Sequence, residues 1–317
     1  GEGEAAGVFL WHFCFFCKLK HFVMAINKED EKFMMRCLQL AKKGLGNTYP
    51  NPAVGAVIVS QGRIIGEGYH ARAGEAHAEV NAIEAVREKH LLKGSTMYVS
   101  LEPCAHYGQT PPCANRIVKE GISRVVIGVL DPNPKVAGKG VAIMKEAGVE
   151  VVSGVLEEKA RMLNRRFFIS QTINRPHVML KWAQTLDGFI DMVRRPDAPI
   201  KPNWITNEIS RINVHKWRAQ EQAIMIGTAT ARKDNPRLNV RNWSGNDPLR
   251  VVLDKNLQLD SSLHLMDGSV CTHIYNNQAD KKQGNVHFRK IDFSLGSDYV
   301  LRQILKDLHG IGIQSLF

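Results

Sequence analysis

The chain has no Gly-x-Gly-x-x-Gly segment, so a Rossmann-type dinucleotide site has no support. Its N-terminal apolar run, residues 8–17, is too short to cross a bilayer. Glu2 and Glu4 stand where a secretory signal would carry basic residues, and no small-residue cleavage site follows. Cysteine is scarce. Six in 317 residues do not make a disulfide framework and fit cytosolic thiols or metal ligands better. No basic arm is present either. The formal net charge of +11 is spread over both halves, which weakens a nucleic-acid reading and suits an anionic small substrate such as a phosphate equally well.

What is there describes a globular protein. At 44% apolar and 23% charged residues, the length suggests two domains, each able to bury a core. Residues 1–23 read as an extension outside the fold, with Met24 as the functional start. Within them Cys14 and Cys17 have redox-motif spacing without a βαβ context. Asn27 is a plausible N-cap for a helix with Phe33, Cys37, Leu40 and Ala41 at helical spacing, closed by Gly44. Strands follow at 54–60 and 63–69 about a Gln61-Gly62 turn, then a helix at 77–90, a strand at 96–100 and a helix at 113–120. A strand at 124–130, a helix at 140–147, a strand at 149–153 and a helix at 156–171 complete the unit. A hairpin followed by alternating strands and helices predicts a layered α/β domain over 24–172. The run at 172–176 marks a boundary. Strands at 178–182, 223–226, 250–253, 271–275 and 313–317 suggest a second α/β domain over 173–317.

The chemistry concentrates between His77 and Cys113. His77-Ala78-Glu79 falls at a helix start, Pro103-Cys104 between a strand and a helix, and Cys113 at the head of that helix. One imidazole and two thiolates can hold one Zn²⁺ in three tetrahedral positions and leave the fourth for water. Helix N-termini favour the thiolate form that binds metal. Glu79, two residues past the histidine, points beyond the metal and is assigned as general acid/base. This is the zinc-deaminase pattern, in which water replaces an exocyclic amine on an aromatic ring. Each residue alone has a plainer reading: His77 as a cap, Cys104 and Cys113 as buried hydrophobes. A closed structural zinc needs a fourth ligand, for which His106 is the candidate. The ordered set in its helix and strand context favours the open site.

Several segments together make the pattern specific. Residues 49–55 (YPNPAVG), 66–70 (GEGYH), 74–80 (GEAHAEV), 101–108 (LEPCAHYG), 110–113 (TPPC) and 131–134 (DPNP) resemble the bifunctional deaminase/reductase family of riboflavin biosynthesis. The resemblance runs from Met24 to the C-terminal end. It implies a cytidine-deaminase-like three-layer N-terminal domain and an incomplete dihydrofolate-reductase-like α/β C-terminal domain. The implied reactions are deamination of a diaminohydroxypyrimidine carrying a phosphoribosylamino group, then NADPH-dependent reduction of the ribosyl group to ribityl. It also implies that Asn51 and His70 contact the substrate with His106 nearby. Gln109 stands where the family usually carries Lys or Arg.

In the second half, Ala183, Trp204, Thr230 and Asp234 fall where the family meets NADP. Arg218, Leu238 and Arg241 fall where it meets substrate, two arginines suiting a phosphate, and Lys181 is a candidate for polarising the ribosyl group. Residues 189–203 are longer and more charged than the family pattern. The chain stops before the family's Glu-Gly-Gly motif, so a competent deaminase with a poor reductase is expected. The partner expected is a phosphorylated pyrimidine, with no nucleic acid and no membrane, in the cytoplasm; a homo-oligomer stays open. The alternative is a monofunctional pyrimidine or nucleic-acid deaminase with a non-catalytic C-terminal domain.

Overall fold

The computed structural model describes residues 28–106, 111–133, 136–195 and 199–317. The expected extension, the Asn27 cap, Gln109 and part of the charged insertion lie outside the described residues.

Helix α1 (Lys28–Ala41) opens on Glu29, Asp30 and Glu31, which suit the positive end of the helix dipole, and buries Phe33, Met34, Cys37, Leu38 and Leu40. Strands β1 (Gly55–Ser60) and β2 (Arg63–Tyr69) form a hairpin. Gln61 and Gly62 both carry positive φ, 50° and 72°, which is the type I′ geometry that matches strand twist. Then come α2 (Ala78–Ala85), β3 (Thr96–Leu101), α3 (Cys113–Lys119), β4 (Arg124–Val129), α4 (Lys139–Glu146) and β5 (Glu150–Ser153), followed by α5 (Glu157–Leu163) and α6 (Arg165–Ile173). The sheet order is β2-β1-β3-β4-β5, with β1 antiparallel to both neighbours and β3, β4 and β5 parallel. Ala56, Ile58, Met97, Val99, Val125 and Ile127 pack one sheet face against α2, α3 and α4. Val57, Val59, Tyr98 and Val126 pack the other against α1. This is the expected three-layer arrangement.

Two expected helices end differently. The one expected over 77–90 stops at Ala85, where the Lys89 ammonium donates to the carbonyls of Ile83 and Glu84 at 2.7 and 3.2 Å. The one expected over 156–171 is broken between α5 and α6 at Asn164. Its buried side chain accepts from Ala53 N–H and donates to the Ala53 carbonyl, both at 2.9 Å, and so ties the break to the strand entry.

The second sheet comprises β6 (His177–Val178), β7 (Ala223–Gly227), β8 (Leu249–Leu253), β9 (Thr272–Asn276), β10 (Lys281–Gln283), β11 (Val286–Lys290) and β12 (Ser315–Leu316). Their order is β10-β11-β9-β8-β7-β12-β6, parallel throughout except for β10. Helix α7 (Glu208–Gln220) starts at Asn207, whose side chain accepts from Ser210 N–H at 2.9 Å. Helix α8 (Thr228–Asp234) contributes Ala231 to the core on one sheet face, and α9 (Ser297–Gly310) lays Val300, Ile304 and Leu308 on the other. The strand expected over 178–182 pairs only at His177–Val178. Leu180 and Trp182 beyond it are exposed, with nothing to bury them as strand residues would be. Among the described residues no helix is long and apolar enough to cross a membrane.

Candidate metal and substrate site

In parallel-strand sheets ligands collect at the carboxyl ends of the strands, and here the chemistry gathers where β3 ends. His77 occupies the N-cap position of α2 in an extended conformation, which turns its ring toward the β3–α3 loop. Two glycines set that position. A Cβ on Gly68 would stand 2.3 Å from Ala82 N and 2.5 Å from Ala78 O, and one on Gly66 would stand 2.4 Å from Ala82 O. The Gly66-Glu67-Gly68 sequence thus lets α2 press directly onto β2. Gly68→Ala is expected to cost about 1–3 kcal/mol through overpacking against helix backbone, seen as a lower urea midpoint at unchanged slope.

His77 Nδ1 lies 3.6 Å from Cys104 Sγ and 3.4 Å from Cys113 Sγ. The three donor atoms sit within 4.8 Å of one another. The Cys113 backbone N–H donates to Cys104 Sγ at 3.3 Å, so the head of α3 serves the sulfur directly. The Cys113 thiol and His77 also face Cys104, and together they draw its thiol down to about 4 despite burial. Cys113 is pushed up by the neighbouring Cys104 sulfur and by burial, and His77 is raised by its contact with Cys104. One imidazole and two sulfurs at this spacing form a soft, compact donor set that fits zinc.

Glu79 is 4% exposed. Burial, with the Cys104 sulfur adding to it, raises its carboxyl to about 7. His70 donates from Nδ1 to the Ala76 carbonyl at 3.1 Å and accepts at Nε2 from Asn51 Nδ2 at 3.2 Å, a pattern that requires the neutral ring. Burial lowers the His70 pKa in the same sense. Its ring meets His77 edge-on, with centroids 5.3 Å apart. Asn51, His70, His77, Glu79, Cys104 and His106 line one cavity of about 280 Å³. A second, polar cavity of about 370 Å³ lies at the opposite end of the sheet, but its Arg124 is already held by Asp30 and Glu150.

Several polar and aromatic lining residues had no assigned role, among them Asp131, Asn133, Phe167 and Gln171. Asp131 and Asn133 enter from the loop after β4, while Phe167 and Gln171 come from α6. Burial raises the Asp131 carboxyl, with Glu102 adding to it. Glu102 organises that loop: its carboxylate accepts from the N–H groups of Asp131, Gly138, Gly140 and Val141 at 3.0–3.4 Å. Glu102 belongs to the Leu101-Glu102-Pro103-Cys104 segment, so its position beside a metal-ligand candidate was the available signal. Phe167 and Gln171 had none, because only the helix break at Asn164 aims them inward.

In the second domain Arg218 is the centre of a cationic group: it acts on Lys181, and Arg241 acts on it. Burial and Arg241 bring the Arg218 guanidinium down to about 10, and burial and Arg218 lower the Lys181 ammonium. Arg218 donates to the Asn239 carbonyl at 2.5 Å, while its buried Nε has no partner among the described residues. Leu238, beside it, is buried at a φ of 52°. Thr230 and Asp234 stand on α8, with Asp234 accepting from Arg194 at 3.0 Å. Ala183 and Trp204 lie between β6 and α7, and the Arg211 guanidinium sits 4.8 Å from the Trp204 ring centroid.

The chain matches the model of the cytidine and deoxycytidylate deaminase zinc-binding region over residues 27–129 and that of the RibD C-terminal domain over residues 176–317. It is 41% identical over 293 residues to the riboflavin biosynthesis protein RibD of Aquifex aeolicus, covering 92% of this chain and 80% of that protein. It is 40% identical over 294 residues to RibD of Bacillus amyloliquefaciens, covering 91% and 77%. A solved diaminohydroxyphosphoribosylaminopyrimidine deaminase/5-amino-6-(5-phosphoribosylamino)uracil reductase from Thermotoga maritima superposes with a TM-score of 0.81 at 40% identity, covering 91% of this chain and 80% of that one. Acinetobacter baumannii RibD superposes with a TM-score of 0.78 at 37% identity, covering 91% and 80%. With both domain models matched in order and this identity sustained across nine-tenths of its length, the chain belongs to the RibD family of riboflavin biosynthesis proteins.

Proposed function

We propose that the first domain, over 24–172, hydrolytically deaminates diaminohydroxyphosphoribosylaminopyrimidine, and that the second, over 173–317, reduces the ribosyl group of 5-amino-6-(5-phosphoribosylamino)uracil with NADPH. The observation that carries the reading is the convergence of His77, Cys104 and Cys113 beside the buried Glu79 at the floor of a cavity. His77, Cys104 and Cys113 would hold one zinc ion, which supplies the Lewis acidity that makes water nucleophilic near neutral pH.

The chain's own residues do the rest. Exchanging a ring amine for oxygen moves both protons of water: one goes to the ring nitrogen, and the other, from the hydroxyl added to the ring, goes to the departing ammonia. Glu79, buried beside the donor set, is the carboxyl that takes and returns these protons and serves each transfer. Asn51 and the neutral His70 present a fixed pair of polar groups to the pyrimidine or its ribose phosphate, with His106 across the cavity. Val54, Leu101 and Phe167 supply apolar wall that excludes bulk water.

In the reductase, Lys181, Arg218 and Arg241 form a cationic group with unspent donors, which suits the substrate phosphate. We assign Lys181, whose ammonium burial and Arg218 bring down from its ordinary value, to polarising the ribosyl group, and Leu238 to apolar contact. Ala183, Trp204, Thr230 and Asp234 are assigned to NADPH. Two thiol ligands suit a reducing compartment such as the cytoplasm.

Mass spectrometry of the pyrimidine after incubation with the protein tests both halves. Without NADPH the product should show one amine replaced by oxygen; the second reaction reads out separately, as two further hydrogens that appear only with NADPH. An unchanged pyrimidine under both conditions would refute the assignment.

A further inference from the structure

The cavity of the first domain is walled partly by two segments that the second domain holds. One is the loop that carries Asn51 and Pro52. Immediately before them, Tyr49 donates its hydroxyl to the Gln220 carbonyl at 3.0 Å and lies 3.4 Å from the Ser315 hydroxyl. The Pro50 carbonyl accepts from Gln314 Nε2 at 2.8 Å, and Asn47 accepts from Asn246 at 3.3 Å. Contact is close enough that a Cβ on Gly46 would stand 2.5 Å from the Ala219 carbonyl.

The other segment is α6. Phe167 and Gln171 face the cavity, while Arg166 makes a two-point ion pair with Glu221, just past the end of α7. Both side chains are nearly inaccessible, at 8% and 1%. The Ser170 carbonyl also meets His309 Nε2 of α9 at 3.1 Å. A buried ion pair is a poor source of net stability but fixes register, since separating it strands a charge away from water.

We infer that the second domain positions the substrate wall of the first, with Tyr49, Arg166, Glu221 and Gln314 as positioning residues for the deamination. The inference rests on the proposed deaminase reading. None of the four residues lines the cavity or meets the metal-ligand candidates. They act through Asn51, two residues from Tyr49, and through Phe167, next to Arg166. Loosening a group that holds the substrate equally in its ground and transition states weakens binding without slowing the chemical step. Because these contacts hold the substrate wall and not the zinc floor, their loss should appear in KM and leave kcat alone.

The test uses the whole chain and two variants. Tyr49→Phe removes only a hydroxyl and keeps the ring; Glu221→Gln keeps the shape and removes the charge. The expected result is a KM for the pyrimidine raised about threefold in Tyr49→Phe and about tenfold in Glu221→Gln. In both variants kcat and zinc content should match the parent, and amide hydrogen exchange should quicken at 47–52 and 166–171. An unchanged KM in both variants, whether or not exchange quickens, would overturn the proposal. A collapse of kcat with loss of zinc would overturn it too, because the contacts would then hold the fold and not the wall. If the parent protein itself does not deaminate the pyrimidine, the functional reading fails. Exchange at the two segments then decides the positioning by itself: faster in the variants supports it, unchanged refutes it.

Discussion

Replacing Glu79 by Gln should lower the deamination rate by about three orders of magnitude while the protein keeps one zinc per chain and close to its original KM. The amide has nearly the same volume, so the packing around a side chain that is 4% exposed is disturbed little. It can neither take a proton from water nor deliver one to the ring or the leaving amine. Asp131 also lines the cavity with a raised pKa, but it belongs to the loop after β4, across from the donor set. Steady-state ammonia release with zinc measured by plasma mass spectrometry on the same sample checks the expectation. A variant retaining a tenth or more of the activity would remove Glu79 from the proton path.

The second large effect is at Cys113. Cys113→Ala should leave the protein nearly free of zinc after dialysis and without measurable deamination, while NADPH oxidation with added 5-amino-6-(5-phosphoribosylamino)uracil stays at the parent's level. One of three ligands is lost; measured against about 10–16 kcal/mol for a structural zinc site, that is about 3 kcal/mol or more, over a hundredfold in affinity. The Cys113 backbone N–H still meets Cys104 Sγ after the substitution, so the loop geometry should persist and the loss should be specific to the metal. Full zinc retention would show that the ion sits elsewhere.

Most of the donor set was legible because its members lie in short segments whose local structure is self-determined. His77 precedes the first helical residue of α2, and Cys113 heads α3 behind two prolines, so each position follows from its neighbours. The hairpin was equally legible, since Gln61-Gly62 supplies the left-handed turn that two short apolar runs need. The illegible parts depend on distant partners. The break at Asn164 is made by the backbone of Ala53, 111 residues earlier, and no helical propensity near 164 announces it. Without that break, Phe167 and Gln171 could not be assigned to the cavity. The strand expected over 178–182 failed for a related reason: pairing with β12 ends after His177–Val178, and the chain there leaves the sheet. In the second domain the cationic group Lys181, Arg218 and Arg241 is assembled from three separate segments, and only the family resemblance joined them in advance.

Glu102 bears on any attempt to retarget the enzyme toward a different base. Its single carboxylate is the common anchor for four main-chain amides of the segment 131–141, so that segment behaves as a cassette with one electrostatic plug. A transplanted loop of other length or sequence would have to bring its own amides to the same point. Otherwise it would leave a buried negative group with too few donors, a penalty of about 1–3 kcal/mol or more next to the residue pair Pro103-Cys104. Loop exchange at this position is therefore constrained by main-chain geometry more than by the side chains it introduces.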